Sequence, residues 1–370
     1  MIYHIYWGTA GNAGLYLDEI YQTLKSEGFE QEVFVSHYYP FNYGRKVFFK
    51  WTELGHCSKL GKLRNPIRYI ELIYALFVIY IKILRRKPQI VNYSFIGVFT
   101  PVLLFLKLIK KTTKCKLILT CHDVMPFANN YQTLSKQEKM RKKAFQMADY
   151  LLTHNQNSAK ELHHSFGIPT QKILRHSFPI MDMNILFHQH AATDNKCDFL
   201  FLGHLRKEKG VEVLMEAWKL FHDKHPDAQL CVAGHAPFGF DTAPYKDMNI
   251  LFKLQFLSDE QYYSLASSAK CIVLPYIKGT NSGVVSTLVT LGKCVITSDL
   301  EMFQSNPLLD KNLMFESGNH QSLFNLMEMV YENKHEKAET EDLVDKYRST
   351  FRKEVVELYN KIYDIRPAGH

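Results

Sequence analysis

The amino-acid sequence predicts an α/β protein made of two doubly wound domains, each a parallel sheet with helices on both faces. Three observations carry that prediction. Apolar strand-like runs alternate with helix-spaced segments along the chain. The alternation breaks at one polar stretch, HQHAATDNKCD (188–198), and then restarts. Glycines and polar residues gather just after several apolar runs, where the carboxyl ends of parallel strands place ligand-binding loops.

The elements follow in order. IYHIYWG reads as a strand ending in a glycine turn, and LYLDEIYQTLKSEG has helical spacing that stops at Gly28. EQEVFVSHYY, KPQIVNYS and CKLILTCHD are further strands, and ADYLLTHN and KILRHSF continue the series. Continuous β-branched and apolar runs of this kind fit strands covered on both faces. After the polar stretch come FLFLG (strand), VEVLMEAWKLFHDKHP (helix), AQLCVAG (strand) and DEQYYSLASSA (helix). CIVLPY (strand), SGVVSTLVTLG (helix) and KCVITSD (strand) complete the second set. The expected domains are 1–185 and 190–345. A charged helical segment over 346–370 closes the chain, and its expected packing is back against the first domain.

Composition narrows the classes. With 46% hydrophobic and 22% charged residues, the 370-residue chain is an ordinary globular protein. The net charge of +8 suits a nucleotide diphosphate, a lipid phosphate or an anionic membrane face. A basic solvated surface with no partner is the plain alternative, and no nucleic-acid motif accompanies the charge. The seven cysteines are scattered without CxxC spacing, which fits buried free thiols in a reducing compartment and no zinc site. MIYHIYWGTAGNAG lacks the basic start and apolar length of a signal peptide. The longest apolar stretch, Leu72 to Ile81, lies between Glu71 and Lys82 and falls short of the roughly 20 residues that span a bilayer. It reads as a core helix or as a partly interfacial one, because Arg85, Arg86 and Lys87 follow it and Lys110 and Lys111 end the next apolar helix. The expected location is cytoplasmic, with attachment to the inner membrane face left open.

Four loops carry candidate chemistry. Gly8, Gly11, Asn12, Ala13 and Gly14 follow the first strand, where glycines let backbone amides approach an anion or ligand. Their spacing is not GxGxxG, so close helix–strand packing explains them equally. His122 and Asp123 follow the buried run KLILTC, where an imidazole can orient a hydroxyl or stabilise developing charge. A loop-capping role is the alternative. Arg206, Lys207 and Lys209 stand between Gly203 and Gly210, ahead of a helix starting near Val211. Guanidinium, ammonium and helix N-terminus together make an anion site, although a surface charge run has the same look. Ser282, Gly283 and Val284 open another helix after CIVLPY, offering a hydroxyl and two amides.

In combination these motifs resemble the retaining glycosyltransferases of glycosyltransferase family 4. FLFLGHLRKEKGVEVLMEAWKLFHDKHPDAQLCVAGHAP is similar to the start of that family's donor domain, and DEQYYSLASSAKCIVLPYIKGTNSGVVSTLVTLGKCVITSD to its second half. The N-terminal half resembles the family more loosely, through the glycine loop, HDVMP and KILRHSF. The resemblance implies the GT-B fold, with two Rossmann-like domains facing a cleft. It implies a retaining, metal-independent hexosyltransferase that uses a UDP- or GDP-sugar as co-substrate, with no cofactor. The acceptor implied is a glycan or lipid-linked glycan in surface polysaccharide biosynthesis.

Within that resemblance Arg206, Lys209, Ser282, Gly283 and Val284 bind the donor diphosphate. Gly234, His235, Phe256 and Leu257 lie near the base and ribose, and His122 and Asp123 stand near the transferred sugar. Two departures matter. Gly203-His204 replaces the family's Gly-Arg, with Arg206 as the substitute cation. Gly279 and Thr287 occupy the positions of its two glutamates, as in a subgroup with an SGV loop. The missing glutamates keep a rival in view, a non-catalytic GT-B module that binds a partner or glycan. A nucleotide-sugar enzyme that does not transfer, such as an epimerase, is the other.

Overall fold

The computed structural model describes residues 1–8, 13–52, 59–94, 97, 99–122, 124, 131–181, 197–279, 283–288, 291–332 and 341–364, with 131–137, 341 and 364 described by backbone alone. The chain divides into two compact units. One is Met1–Pro179 with Ser349–His370, and the other is Ile180–Arg348.

In the first unit the order is β1 (Ile2–Tyr6), α1 (Ala13–Ser26), β2 (Gln31–Ser36), β3 (Arg45–Phe48), α2 (Arg64–Arg86), β4 (Ile90–Ser94) and α3 (Thr100–Thr112). There follow β5 (Lys116–Thr120), α4 (Tyr131–Met147), β6 (Tyr150–Thr153), α5 (Gln156–Phe166) and β7 (Ile173–Arg175). All seven strands are parallel, in the order β3-β2-β1-β4-β5-β6-β7. β1 and β4 are buried at every position, which is why they read as unbroken apolar runs. Local chemistry sets the helix ends: Asn155 Oδ1 accepts the Ser158 amide to start α5, and Gly167 in the left-handed region ends it. α2 is longer than its apolar stretch and ends at left-handed Lys87. One side, Leu72, Ala75, Leu76, Ile79 and Ile83, is buried, while Ile73, Tyr74 and Phe77 are exposed.

The second unit contains β8 (Phe199–Leu202), α6 (Val211–Lys224), β9 (Leu230–Ala233), β10 (Ile250–Lys253), α7 (Asp259–Ser268), β11 (Cys271–Leu274) and α8 (Gly283–Leu288). After these come β12 (Cys294–Ser298), α9 (Glu301–Gln304), β13 (Met314–Phe315) and α10 (His320–Tyr331). The parallel order is β10-β9-β8-β11-β12-β13. The order runs outward one way from β8 and the other way from β11, so the switch point lies between those two strands. Apolar side chains of Phe199, Trp218 and Phe221 fill one face of this sheet, and those of Leu200, Ile272 and Leu288 the other.

The last helix, α11 (Glu341–Asp364), belongs with the first unit from Ser349 onward. Phe351, Val355, Tyr359 and Ile362 are buried there. Asn92 Nδ2 donates to Tyr359 Oη at 3.0 Å, Thr120 Oγ1 donates to Asn92 Oδ1, and Glu354 accepts the Ser177 amide. The units divide at Pro179/Ile180, ahead of the 185–190 junction read from the sequence. Six of the cysteines are described, none of these six in a disulfide; Cys115, Cys121, Cys197, Cys231 and Cys271 are buried, and Cys57 lies outside the described residues.

Candidate functional site

At the switch point of the second unit, three glycines let loops meet closely. Gly203 directly follows β8 and Gly234 directly follows β9; a Cβ on Gly234 would stand 1.9 Å from the Gly203 carbonyl oxygen. Gly210 has φ +65°, and a Cβ there would stand 1.8 Å from the Pro275 oxygen. Between them Lys207–Lys209 forms a single tight turn. The Glu208 carbonyl accepts the amides of Ile277 (3.0 Å) and Lys278 (3.3 Å), docking the turn on the segment that leaves β11. Two stretches about 70 residues apart in sequence are thereby joined at the place where open α/β sheets bind ligands.

The cations are held in this junction. Lys209 Nζ lies 3.7 Å from the centroid of the Tyr276 ring, and Tyr276 is buried. Arg206 is half-buried; its Nε and the Tyr276 Oη are buried and have no hydrogen-bond partner among the described residues. A buried donor of this kind gains strongly from an anionic acceptor. The field is felt next door. Burial first, and then the Arg206 guanidinium and His235, push the His204 imidazole below its ordinary value. His204 and His235 face each other with ring centroids 6.0 Å apart. The N-terminus of α6 begins at Gly210, directly after the turn.

The remaining residues named from the sequence fall as follows. Gly234 is buried beside Gly203, and His235 is exposed with its carbonyl accepting the Leu205 amide. Leu257 packs on the core and Phe256 is exposed. Gly283 and Val284 open the short α8 and are half-buried, while Ser282 lies outside the described residues. Thr287 is fully buried on α8, its hydroxyl donating to the Val284 carbonyl at 2.8 Å.

In the first unit His122 is buried at the end of β5, and Asp123 lies outside the described residues. The sequence reading missed its companions. His154 after β6 and His176 after β7 occupy the same strand-end position, and Tyr16 of α1 packs among all three rings. His122 Nδ1 and His154 Nε2 are hydrogen-bonded at 2.9 Å. His176 Nδ1 must donate to the Ser177 carbonyl (2.6 Å), so its Nε2 accepts from Tyr16 Oη (3.0 Å). Phe178 packs edge-on to His122 and His154. Burial pushes His122 and His154 well below the usual histidine range, and His176 down to about 4. All three imidazoles are therefore neutral near pH 7 and act as hydrogen-bonding groups rather than charges. The signal that finds them is a histidine within two residues of the end of each of three consecutive apolar strands, in LTCHD, LLTHN and ILRHS.

The residues of the glycine loop after β1 are divided. Gly8, Ala13 and Gly14 are described, with Ser36 Oγ donating to the Gly8 carbonyl at 2.5 Å and Gly14 close to Pro40. Gly11 and Asn12 lie outside the described residues. Among the described residues, no group of three or more His, Cys, Asp or Glu side chains is arranged to hold a metal ion.

Comparison with known proteins follows this division. Residues 13–174 match the model of Glycosyltransferase Family 4, and residues 182–347 match that of Glycosyl transferases group 1. A search of curated proteins by sequence gave no significant match. Among solved structures, the chain is similar to sucrose-phosphate synthase from Thermosynechococcus elongatus, with TM-score 0.64, 14% identity, and 98% of this chain and 99% of that one covered. It is also similar to the catalytic domain of starch synthase IV from Arabidopsis thaliana, bound to ADP and acarbose, with TM-score 0.60, 13% identity, and 98% of each chain covered. A UDP-GlcNAc 2-epimerase from Neisseria meningitidis, bound to UDP-GlcNAc, gives TM-score 0.52 at 14% identity, with 98% of this chain and 100% of that one covered. At these identities the likeness is one of fold, the GT-B fold with its two parallel-sheet Rossmann-like domains. The chain thus joins a Glycosyltransferase Family 4 domain to a Glycosyl transferases group 1 domain.

Proposed function

We propose that this glycosyltransferase moves a hexosyl group from a UDP- or GDP-sugar to a hydroxyl of a glycan or lipid-linked glycan, with retention and without a metal, in surface polysaccharide biosynthesis. The observation that carries the reading is the docking of the Lys207–Lys209 turn on the segment after β11. It concentrates Arg206, Lys209 and the start of α6 at the switch point of the group 1 domain. As the donor bond breaks, negative charge grows on the diphosphate. Fixed cations and oriented amides there stabilise the departing group more than the bound donor, which lowers the barrier. Gly283 and Val284, with Ser282, add donors on the same phosphates. Gly234, His235, Phe256 and Leu257 border the base and ribose. His122, a neutral imidazole held by His154 and Tyr16, orients a sugar or acceptor hydroxyl with Asp123. Attachment to a membrane face through the basic first domain belongs to the same reading.

Arg206→Ala and Lys209→Ala test it. Each removes a charge-assisted contact worth about 1.5–3 kcal/mol, so donor turnover should fall on the order of 10- to 100-fold. Unchanged turnover in both variants would sink the site assignment. Thr287 favours a second reading, a non-catalytic module: a buried residue bonded to its own helix stands where the family carries a glutamate. Thermal shift with UDP and GDP decides, because a module without a donor site is not stabilised by either. Product analysis without acceptor separates transfer from epimerisation.

A further inference from the structure

We propose that the outward side of α2 is a docking surface for an anionic lipid bilayer. It specifies the membrane contact in the functional reading above, and its test needs neither donor nor transfer. Ile70, Tyr74 and Phe77 of α2, with Leu63 just before it, are 60–64% exposed, and Tyr69 and Ile73 are exposed between them. The spacing is helical, so these six side chains form one stripe. The opposite side of the same helix, Leu72, Ala75, Leu76, Ile79 and Ile83, is the one buried in the core. α2 is thus apolar on both sides, and the outer side has no cover among the described residues. Trp51, exposed, is tied to the helix by its amide, which donates to Glu71 Oε1 at 2.6 Å. The neighbouring α3 adds exposed Leu104, with Phe99 at its start. An exposed apolar area of this extent on a folded domain marks an interaction surface.

Charge identifies the occupant. Residues 59–112 contain eleven Lys and Arg and a single acidic residue, although the whole chain carries only +8. That acid, Glu71, is buried and taken up by Trp51 and Thr52. Lys82 and Lys110 are offset by Glu32 and Asp149. Lys59, Lys62, Arg85, Arg86, Lys87, Lys107 and Lys111 are exposed around and beyond the stripe. Aromatic and aliphatic side chains that enter the headgroup layer, ringed by cations that reach lipid phosphates, form an interfacial surface. No described helix is long and apolar enough to cross the membrane, so the contact is lateral. A second copy of the chain fits poorly, because a two-fold contact would set like charges against each other.

The test is co-sedimentation of the full chain with vesicles of phosphatidylcholine alone or with added phosphatidylglycerol. Binding should require the anionic lipid and weaken about tenfold or more between about 0.1 and 0.5 M salt. Ile70→Ser with Phe77→Ser should weaken it about tenfold through lost apolar insertion, and Arg85→Glu with Arg86→Glu by a similar factor through lost charge. All four positions are exposed, so thermal melting should be unchanged, and any UDP- or GDP-induced shift should survive. Failure of the wild type to bind anionic vesicles overturns the proposal, as does equal binding by both double variants. So does a wild-type dimer that either variant converts to monomer, since the stripe would then be an interface between copies. Nucleotide shifts measured on the same samples show separately whether the donor reading stands.

Discussion

His4, His122, His154 and His176 are buried in one domain, and burial holds every one of them below the ordinary histidine value. A buried imidazole that stays neutral binds its proton less well in the folded chain than in the unfolded one. The stability this contributes is therefore complete above the unfolded value of about 6.5 and is lost as pH falls toward the folded value. For His4 and His176 that lower end is about 4. Each pH unit below 6.5 should cost about 1.4 kcal/mol per group, less where the clustered rings titrate together. The urea midpoint should thus be flat from pH 8 to 7 and fall clearly by about pH 5, ahead of most carboxylate titration. A midpoint unchanged at pH 5 would show that these rings are hydrated. His122 is legible in the sequence because it ends a buried strand beside polar neighbours. His154 and His176 hold equivalent positions without standing out, since one histidine after an apolar run is an ordinary event. Only the pairing of β5 with β6 and β6 with β7 makes the three a cluster.

At the scale of the element, the donor candidate depends on how one turn is seated. Gly210 follows that turn in the left-handed region, against the Pro275 carbonyl. Gly239 is also left-handed and in the same domain, but a Cβ there would meet nothing within 4 Å. Gly239→Ala should therefore lose only the left-handed penalty of about 1–2 kcal/mol. Gly210→Ala bears that penalty and must also push the turn off the β11 segment, so it should lose about 3 kcal/mol or more and weaken nucleotide diphosphate binding. Equal losses, measured by urea unfolding, would mean that the close approach has no consequence. The seating is not legible in the sequence: LGHLRKEKG and LPYIKG each read as a plain loop, and nothing in either announces that the Glu208 carbonyl takes two amides from the other. The strands around it are legible, because burial on both faces writes unbroken runs such as FLFL and CIVL. Edge strands β3 and β10 escape such a reading, since RKVF and ILFK are only partly buried and carry no such run. β13 contributes two residues and leaves almost no pattern.

Across the whole molecule, the first domain is discontinuous in sequence, and α11 supplies part of its interior. Without residues 349–364, Asn92 loses the hydroxyl of Tyr359, and the Ser177 amide loses Glu354. Phe351 would leave the His176 ring, 5.5 Å away between centroids. Buried polar groups left without partners cost about 1–3 kcal/mol each, and each large apolar side chain withdrawn costs about 1.5–3 kcal/mol more. Those losses are comparable with the whole stability of a domain, about 5–15 kcal/mol. A fragment of residues 1–179 should therefore be unfolded or molten, with little near-ultraviolet dichroism and no cooperative melt. Residues 180–348 keep both their cores and should melt cooperatively. Adding a peptide of residues 341–370 in trans should restore a cooperative transition to the first fragment, whereas the same peptide carrying Tyr359→Ala and Val355→Ala should not. If residues 1–179 melt cooperatively alone, α11 is an accessory strap rather than part of the core.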